Sequence, residues 1–188
     1  MFDFFMKCII AMIRKRDIDV RAYPQGINML ELLAKFPAKY DDGMMQRKAE
    51  KIKGYFEEAK AWYEQLDFHV FKDILLEATF DNLHESNYLF VYYLLKHNEK
   101  PNLHDLAYLL MSQPLCHTER AYFIAYNHAK RAAALTDYAD TALLENIIFL
   151  HGVPDQMVSD AEAEKVARKF LAIDSRNEIA KQWLKERK

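Results

Sequence analysis

Histidines and carboxylates gather between residues 67 and 117. Five of the seven histidines lie there (His69, His84, His97, His104 and His117), with seven acids against only Lys72, Lys96 and Lys100. Three of these histidines have acids close by in sequence: His84-Glu85, His104-Asp105 and His117-Thr118-Glu119. Such pairs can exchange protons near neutral pH or ligate a transition metal. A helical metal site would draw on His84, His104, His117 and Glu119. The spacing argues against it, because no His-x-x-x-His occurs and Asp81-Asn82-Leu83-His84 is the only acid-x-x-His pair. Surface and capping histidines are therefore expected, with no metal and no other cofactor. A small helical enzyme or metal-binding protein using this carboxylate–histidine cluster is the alternative.

Nucleophiles give a weaker signal. Ser86, Ser159 and Ser175 read as helix caps, and Ser112 has no strand–turn–helix setting. Cys116-His117 are adjacent in sequence, which is not the spatial pairing that a thiolate needs, so Cys116 is expected to be a small core residue. No catalytic residue is assigned. The basic clusters at Arg14-Lys15-Arg16, at Arg47–Lys53 and at the C-terminus are balanced by nearby acids or confined to an end, which argues against nucleic acid. Tyrosines are the better recognition candidates, since they combine apolar area with a polar tip. Tyr92, Tyr93, Tyr122 and Tyr126, with His117, form the expected partner-binding set.

The elements that must hold these residues follow from composition. Of 188 residues, 51% are apolar and 29% charged, and 26 bases against 28 acids leave a net charge of −2. Only Gly26, Gly43, Gly54 and Gly152 occur, where average usage would give about thirteen. That excludes a phosphate-cradling loop and a dinucleotide fingerprint, and disfavours hairpin-rich sheets. Cys8 and Cys116 are too few for a disulfide framework, so a reducing, cytoplasmic setting is expected. The apolar stretch Phe4–Ile13 is interrupted by Lys7 and too short to span a bilayer, so it reads as a buried helix.

Helical spacing recurs along the chain. Pro24-Gln25-Gly26 and Pro37 bound a short helix, Ile27–Phe36. Met45, Ala49, Ile52, Phe56, Ala59, Tyr63 and Leu66 form a 4-3 seam on a helix of about six turns. Further helices are expected from Phe68, from Tyr88 with Ser86 as its cap, and over Leu103–Met111. Thr118 and Asp140 are expected as simple caps. Ser159-Asp-Ala-Glu162 and Ser175-Arg-Asn-Glu178 fit the capping box, with Val158 and Ala163 as a hydrophobic staple. About ten helices result, in a single all-α domain with an N-terminal helical portion, 1–66, that includes the long heptad-patterned helix, and a helical-repeat portion, 67–188.

Two stretches align without gaps at an offset of 38 residues. Ala125, Ala129, Lys130, Arg131, Ala132 and Leu135 correspond to Ala163, Ala167, Arg168, Lys169, Phe170 and Ile173. Small residues four apart permit close helix approach, as stacked helical hairpins require. Over 118–188 this pattern resembles the tetratricopeptide (TPR) helical-repeat family, and Leu171-Ala-Ile-Asp174-Ser-Arg-Asn177-Glu-Ile-Ala180 is similar to that family's inter-repeat turn. Asp137 and Ser175 replace the turn proline, and the period is longer than the family's usual one. The resemblance implies antiparallel helical hairpins stacked as a short α-solenoid, and a protein or peptide partner. A bacterial regulator or immunity-type protein suits this format by fold-level analogy. Neither a nucleic-acid partner nor a membrane span is expected, and a homodimer through the N-terminal helices is left open.

Overall fold

A computed structural model describes residues 29, 31–35 and 42–186, with side chains from residue 53 onward and at 29 and 31–35. The expectations for Phe4–Ile13, for Cys8, for residues 27, 28, 30 and 36 of the short helix and for residues 187–188 lie outside the described residues. So do the side chains of Met45, Ala49 and Ile52, and with them most of the N-terminal surface offered for a homodimer. Among the described residues there is no strand, and eight α-helices follow a helical turn at 29 and 31–33. They are α1 (Asp42–Tyr63), α2 (Phe68–Asn82), α3 (Glu85–His97), α4 (Pro101–Ser112), α5 (Ala121–Leu135), α6 (Thr141–His151), α7 (Asp160–Ile173) and α8 (Glu178–Lys185). The chain is all-α. None of these helices is long and apolar enough to cross a membrane.

The chain divides into two compact units, Met1–Tyr93 and Leu94–Lys188, with the boundary inside α3. In the first, aromatic rings supply the core. Phe71 and Phe90 are fully buried and meet edge-on at 6.2 Å, while Phe56 packs 5.5 Å from Phe90 and Tyr63 4.8 Å from Phe71. The heptad seam is thus seated through Phe56, Ala59 and Tyr63, but α1 ends at Tyr63 and leaves Leu66 in the following turn. Asp67 caps α2 by accepting the His69 N–H at 2.8 Å. A buried polar chain joins α2 to α3: Thr79 Oγ1 donates to the Leu75 carbonyl, and Asn87 Nδ2 reaches both Thr79 Oγ1 (3.0 Å) and Asn82 Oδ1 (3.1 Å). Ser86 is not the cap of α3. It lies inside the helix and is fully buried, because α3 begins at Glu85 directly after the turn.

In the second unit each helix packs on the next: α4 on α5, α5 on α6, α6 on α7 and α7 on α8. The small-residue pattern holds on both repeated helices. Ala125, Ala129 and Ala132 of α5 are fully buried, as are Ala163 and Ala167 of α7, with Phe170 at 2% exposure. At the ends of the two helices, Leu135 and Ile173 are both exposed. Asp140 caps α6 through the Ala142 N–H, and Ser159 caps α7 through the Glu162 N–H. Val158 and Ala163, the staple pair, are both buried.

Three further sequence expectations are corrected by the fold. Thr118 does not cap α5; its hydroxyl donates to the Leu115 carbonyl, and the N-cap is Arg120, in the left-handed region at φ 60°. Ser175 does not cap α8. Asn177 does, accepting the Ala180 N–H at 2.9 Å, while Asp174 takes the Arg176 N–H and so shifts the helix start by two residues. Cys116 is exposed rather than in the core, because it falls in the turns between α4 and α5 where Leu115 takes the buried place.

Asn177→Ala should therefore cost about 1 kcal/mol, and Ser175→Ala less than about 0.5 kcal/mol. Urea unfolding followed by far-UV circular dichroism compares the two, and equal losses would contradict the assigned cap. Gly54 lies inside α1, and a β-carbon added there would meet nothing within 4 Å. Gly54→Ala should stabilise by about 0.5–1 kcal/mol, visible as a raised urea midpoint at unchanged slope.

Candidate functional site

The best-formed polar constellation lies where α4 meets α5. His104 on α4 and His128 on α5 are both 8% exposed, and their Nδ1 atoms lie 2.8 Å apart. His104 Nε2 lies 3.1 Å from Oε1 of Glu99, the middle residue of the α3–α4 connection. Arg131, one turn beyond His128, grips the same carboxylate with Nε at 2.8 Å and Nη2 at 2.6 Å. The Arg131 guanidinium and the His104 ring hold the Glu99 carboxyl down at about 2. Burial lowers His104 against the opposing pull of Glu99, and burial with the neighbouring His104 ring lowers His128 to about 4. Both rings are neutral at pH 7, so their hydrogen bonds are set by tautomer rather than by charge.

A second network ties α5 to α7. The Tyr126 hydroxyl donates to Glu162 Oε2 at 2.7 Å, and Lys130 Nζ reaches both that hydroxyl (3.1 Å) and Glu162 Oε1 (3.4 Å). Burial and the Glu162 bond raise Tyr126 above the usual phenol range. Glu162 is the third helical residue after the Ser159 cap. Its carboxylate is engaged across the helix interface by Tyr126 and Lys130.

The expected partner-binding residues have different fates. Tyr92 is 43% exposed, with Tyr88 beside it at 6.5 Å between ring centroids. Tyr93 packs on Phe56 and Phe90, and burial with the nearby Glu57 carboxylate pushes its hydroxyl up to about 12. In the second unit Tyr122 is half-buried beside Cys116, Tyr126 is engaged by Glu162, and His117 is exposed. Tyr92 and Tyr93 thus belong to the first unit, and Tyr122, Tyr126 and His117 to the second.

The residues of the metal alternative are likewise divided. His84 is half-buried in the α2–α3 connection, His117 and Glu119 are exposed in the turns before α5, and His104 faces His128. Among the described residues no three His, Cys, Asp or Glu side chains are grouped to hold a metal ion.

One surface residue escapes the sequence pattern. Phe123 of α5 is 46% exposed, and the Arg120 guanidinium lies 5.1 Å from its ring centroid. Its position is two residues from Ala125, hence about 160° around the helix from the centre of the buried alanine stripe. An aromatic residue opposite an alanine stripe is the available signal. The chain matches none of the protein-family models, curated proteins or solved structures with which it was compared.

Tyr126→Phe removes the hydroxyl that joins Glu162 to Lys130 and should lower stability by about 1 kcal/mol. Guanidinium unfolding of the purified variant measures this. A loss within about 0.3 kcal/mol of zero would show that the Lys130–Glu162 pair holds α5 on α7 without it.

Proposed function

We propose that the chain is a protein- or peptide-interaction module whose second unit is built of TPR-like helical hairpins. Contacts between alternate helices support the stacking. Asn146 of α6 donates to Asp105 of α4 at 2.7 Å, and Phe149 of α6 meets Tyr108 of α4 edge-on at 6.3 Å. The Tyr126–Glu162 bond joins α5 to α7 in the same way. Hairpin α4–α5 thereby touches hairpin α6–α7 through both of its helices, which is how helical repeats bury a continuous core.

The observation that carries the recognition reading is Phe123 with Arg120 above it. Aromatic residues and arginine dominate the energetically critical centres of protein interfaces, and Arg120 is exposed. His117 is exposed in the turns that lead to Arg120, and the half-buried Tyr122 precedes Phe123 in sequence. An exposed free thiol at Cys116 supports a reducing, cytoplasmic compartment.

Phe123→Ala and Arg120→Ala should each weaken capture of the partner from native-host lysate by about thirtyfold or more, as loss of a 2 kcal/mol contact requires. Each should lower stability by no more than about 1 kcal/mol, the worth of the Arg120–Phe123 contact. Glu164→Ala on α7 serves as a control. Capture of the same proteins in the same yield by all variants would refute the recognition surface.

A further inference from the structure

We propose that the His104–His128 pair is an acid-operated latch that holds α5 on α4 and releases it when both rings are protonated. The hydrogens of the pair can be counted. Ionised Glu99 offers only lone pairs, and Arg131 occupies both of its oxygens with donors, so His104 Nε2 must carry hydrogen to bond Oε1. A neutral imidazole has a single N–H, which leaves His104 Nδ1 as an acceptor. His128 Nδ1, 2.8 Å away, must then be the donor. One carboxylate thus fixes the tautomers of two rings.

Protonation proceeds in two unlike steps. The first proton makes one ring an imidazolium and leaves a single hydrogen between the two Nδ1 atoms. The bridging hydrogen can shift to His104 Nδ1, which puts the charge beside Glu99. The second proton has no site except the remaining Nδ1 lone pair between the rings. Two N–H groups then point at each other, on two cations, across a gap sized for one hydrogen. The rings must separate, and they are carried by the helices whose packing they join.

The charges around the pair are set by its neighbours. Glu99 and Arg131 are the charged side chains that bear on His104, and His104 bears on His128. On α3, Lys96 and His97 are exposed, as is Lys100 before α4. Asp105 of α4 and Glu145 of α6 act on Tyr108, and Glu162 of α7 acts on Tyr126 and Lys130. Since both rings are lowered from 6.5, the unfolded or opened state binds more protons below that value. Closure is fully favoured above about pH 6.5 and weakens as pH falls through about 4, where His128 titrates.

Hydrogen exchange of the full chain, corrected for the intrinsic pH dependence of exchange, tests the latch without reference to any partner. Between about pH 6 and pH 4 the opening constant of α4 and α5 amides should rise by up to tenfold per pH unit for each proton taken up. Protection in α7 and α8 should hold. His128→Asn retains an N–H donor without a titrating ring, and should flatten the rise by about tenfold per unit. Uniform loss of protection across the second unit, or a wild-type slope in the variant, would overturn the proposal. Should the variant fail to fold, ring-nitrogen NMR of the unaltered protein at pH 7 decides. Hydrogen on His104 Nε2 and His128 Nδ1 is expected, and the reverse tautomers would exclude the latch.

Discussion

Close approach between helices governs the second unit. Ala121, Ala125, Ala129 and Ala132 give α5 one side almost without side chains, and each is buried to 2% exposure or less. An alanine stripe brings the neighbouring backbone nearer than leucines would allow, so residues at its margins meet partners on other helices whether polar or not. His128 precedes Ala129 and enters the α4 interface; Tyr126 follows Ala125 and reaches α7. Groups drawn in this way must be satisfied there, because an unpaired polar group in such an interface costs about 1–3 kcal/mol. These two polar networks of α5 are consequences of the same stripe.

Periodicity makes much of this legible. The 38-residue repeat points to the buried alanines on both helices, and Asp140 and Ser159 are recognisable as caps because each precedes an apolar-periodic segment. Sequence is a poorer guide where several short polar residues compete for one helix start. Ser175 and Asn177 both offer an oxygen, and the Asp174 side chain decides between them by taking the Arg176 N–H. Ser86 misleads for a related reason: the turn through Leu83, in the left-handed region at φ 54°, starts α3 two residues earlier than a Ser86 cap would.

The histidine pair is hidden for a different reason. His104 and His128 are 24 residues apart on separate helices, and their meeting depends on the axial register of α4 against α5, which no local spacing encodes. Adjacent acids are a misleading guide. Asp105 follows His104 in sequence yet accepts from Asn146 of α6, while Glu99, five residues away, holds the ring. On a helix, neighbours in sequence point about 100° apart, whereas a residue just before the helix can fold back along the first turn. Composition therefore indicates a histidine–carboxylate region but not which carboxylate serves which ring.

Arg120 connects the internal packing to the exposed face of α5. A non-glycine residue at φ 60° costs on the order of 1 kcal/mol, and Arg120 provides no side-chain cap for the helix it precedes. Backbone requirements alone would favour glycine or asparagine there. The arginine side chain offsets this by lying over Phe123, a contact of about 0.5–1 kcal/mol at an exposed site. It also screens one side of the ring from water while leaving it 46% exposed. Local backbone strain and an unburied aromatic thus coincide at one helix start, and the alanine stripe directs that aromatic outward. Burying Ala125 on one side of α5 leaves Phe123 no position on the core side.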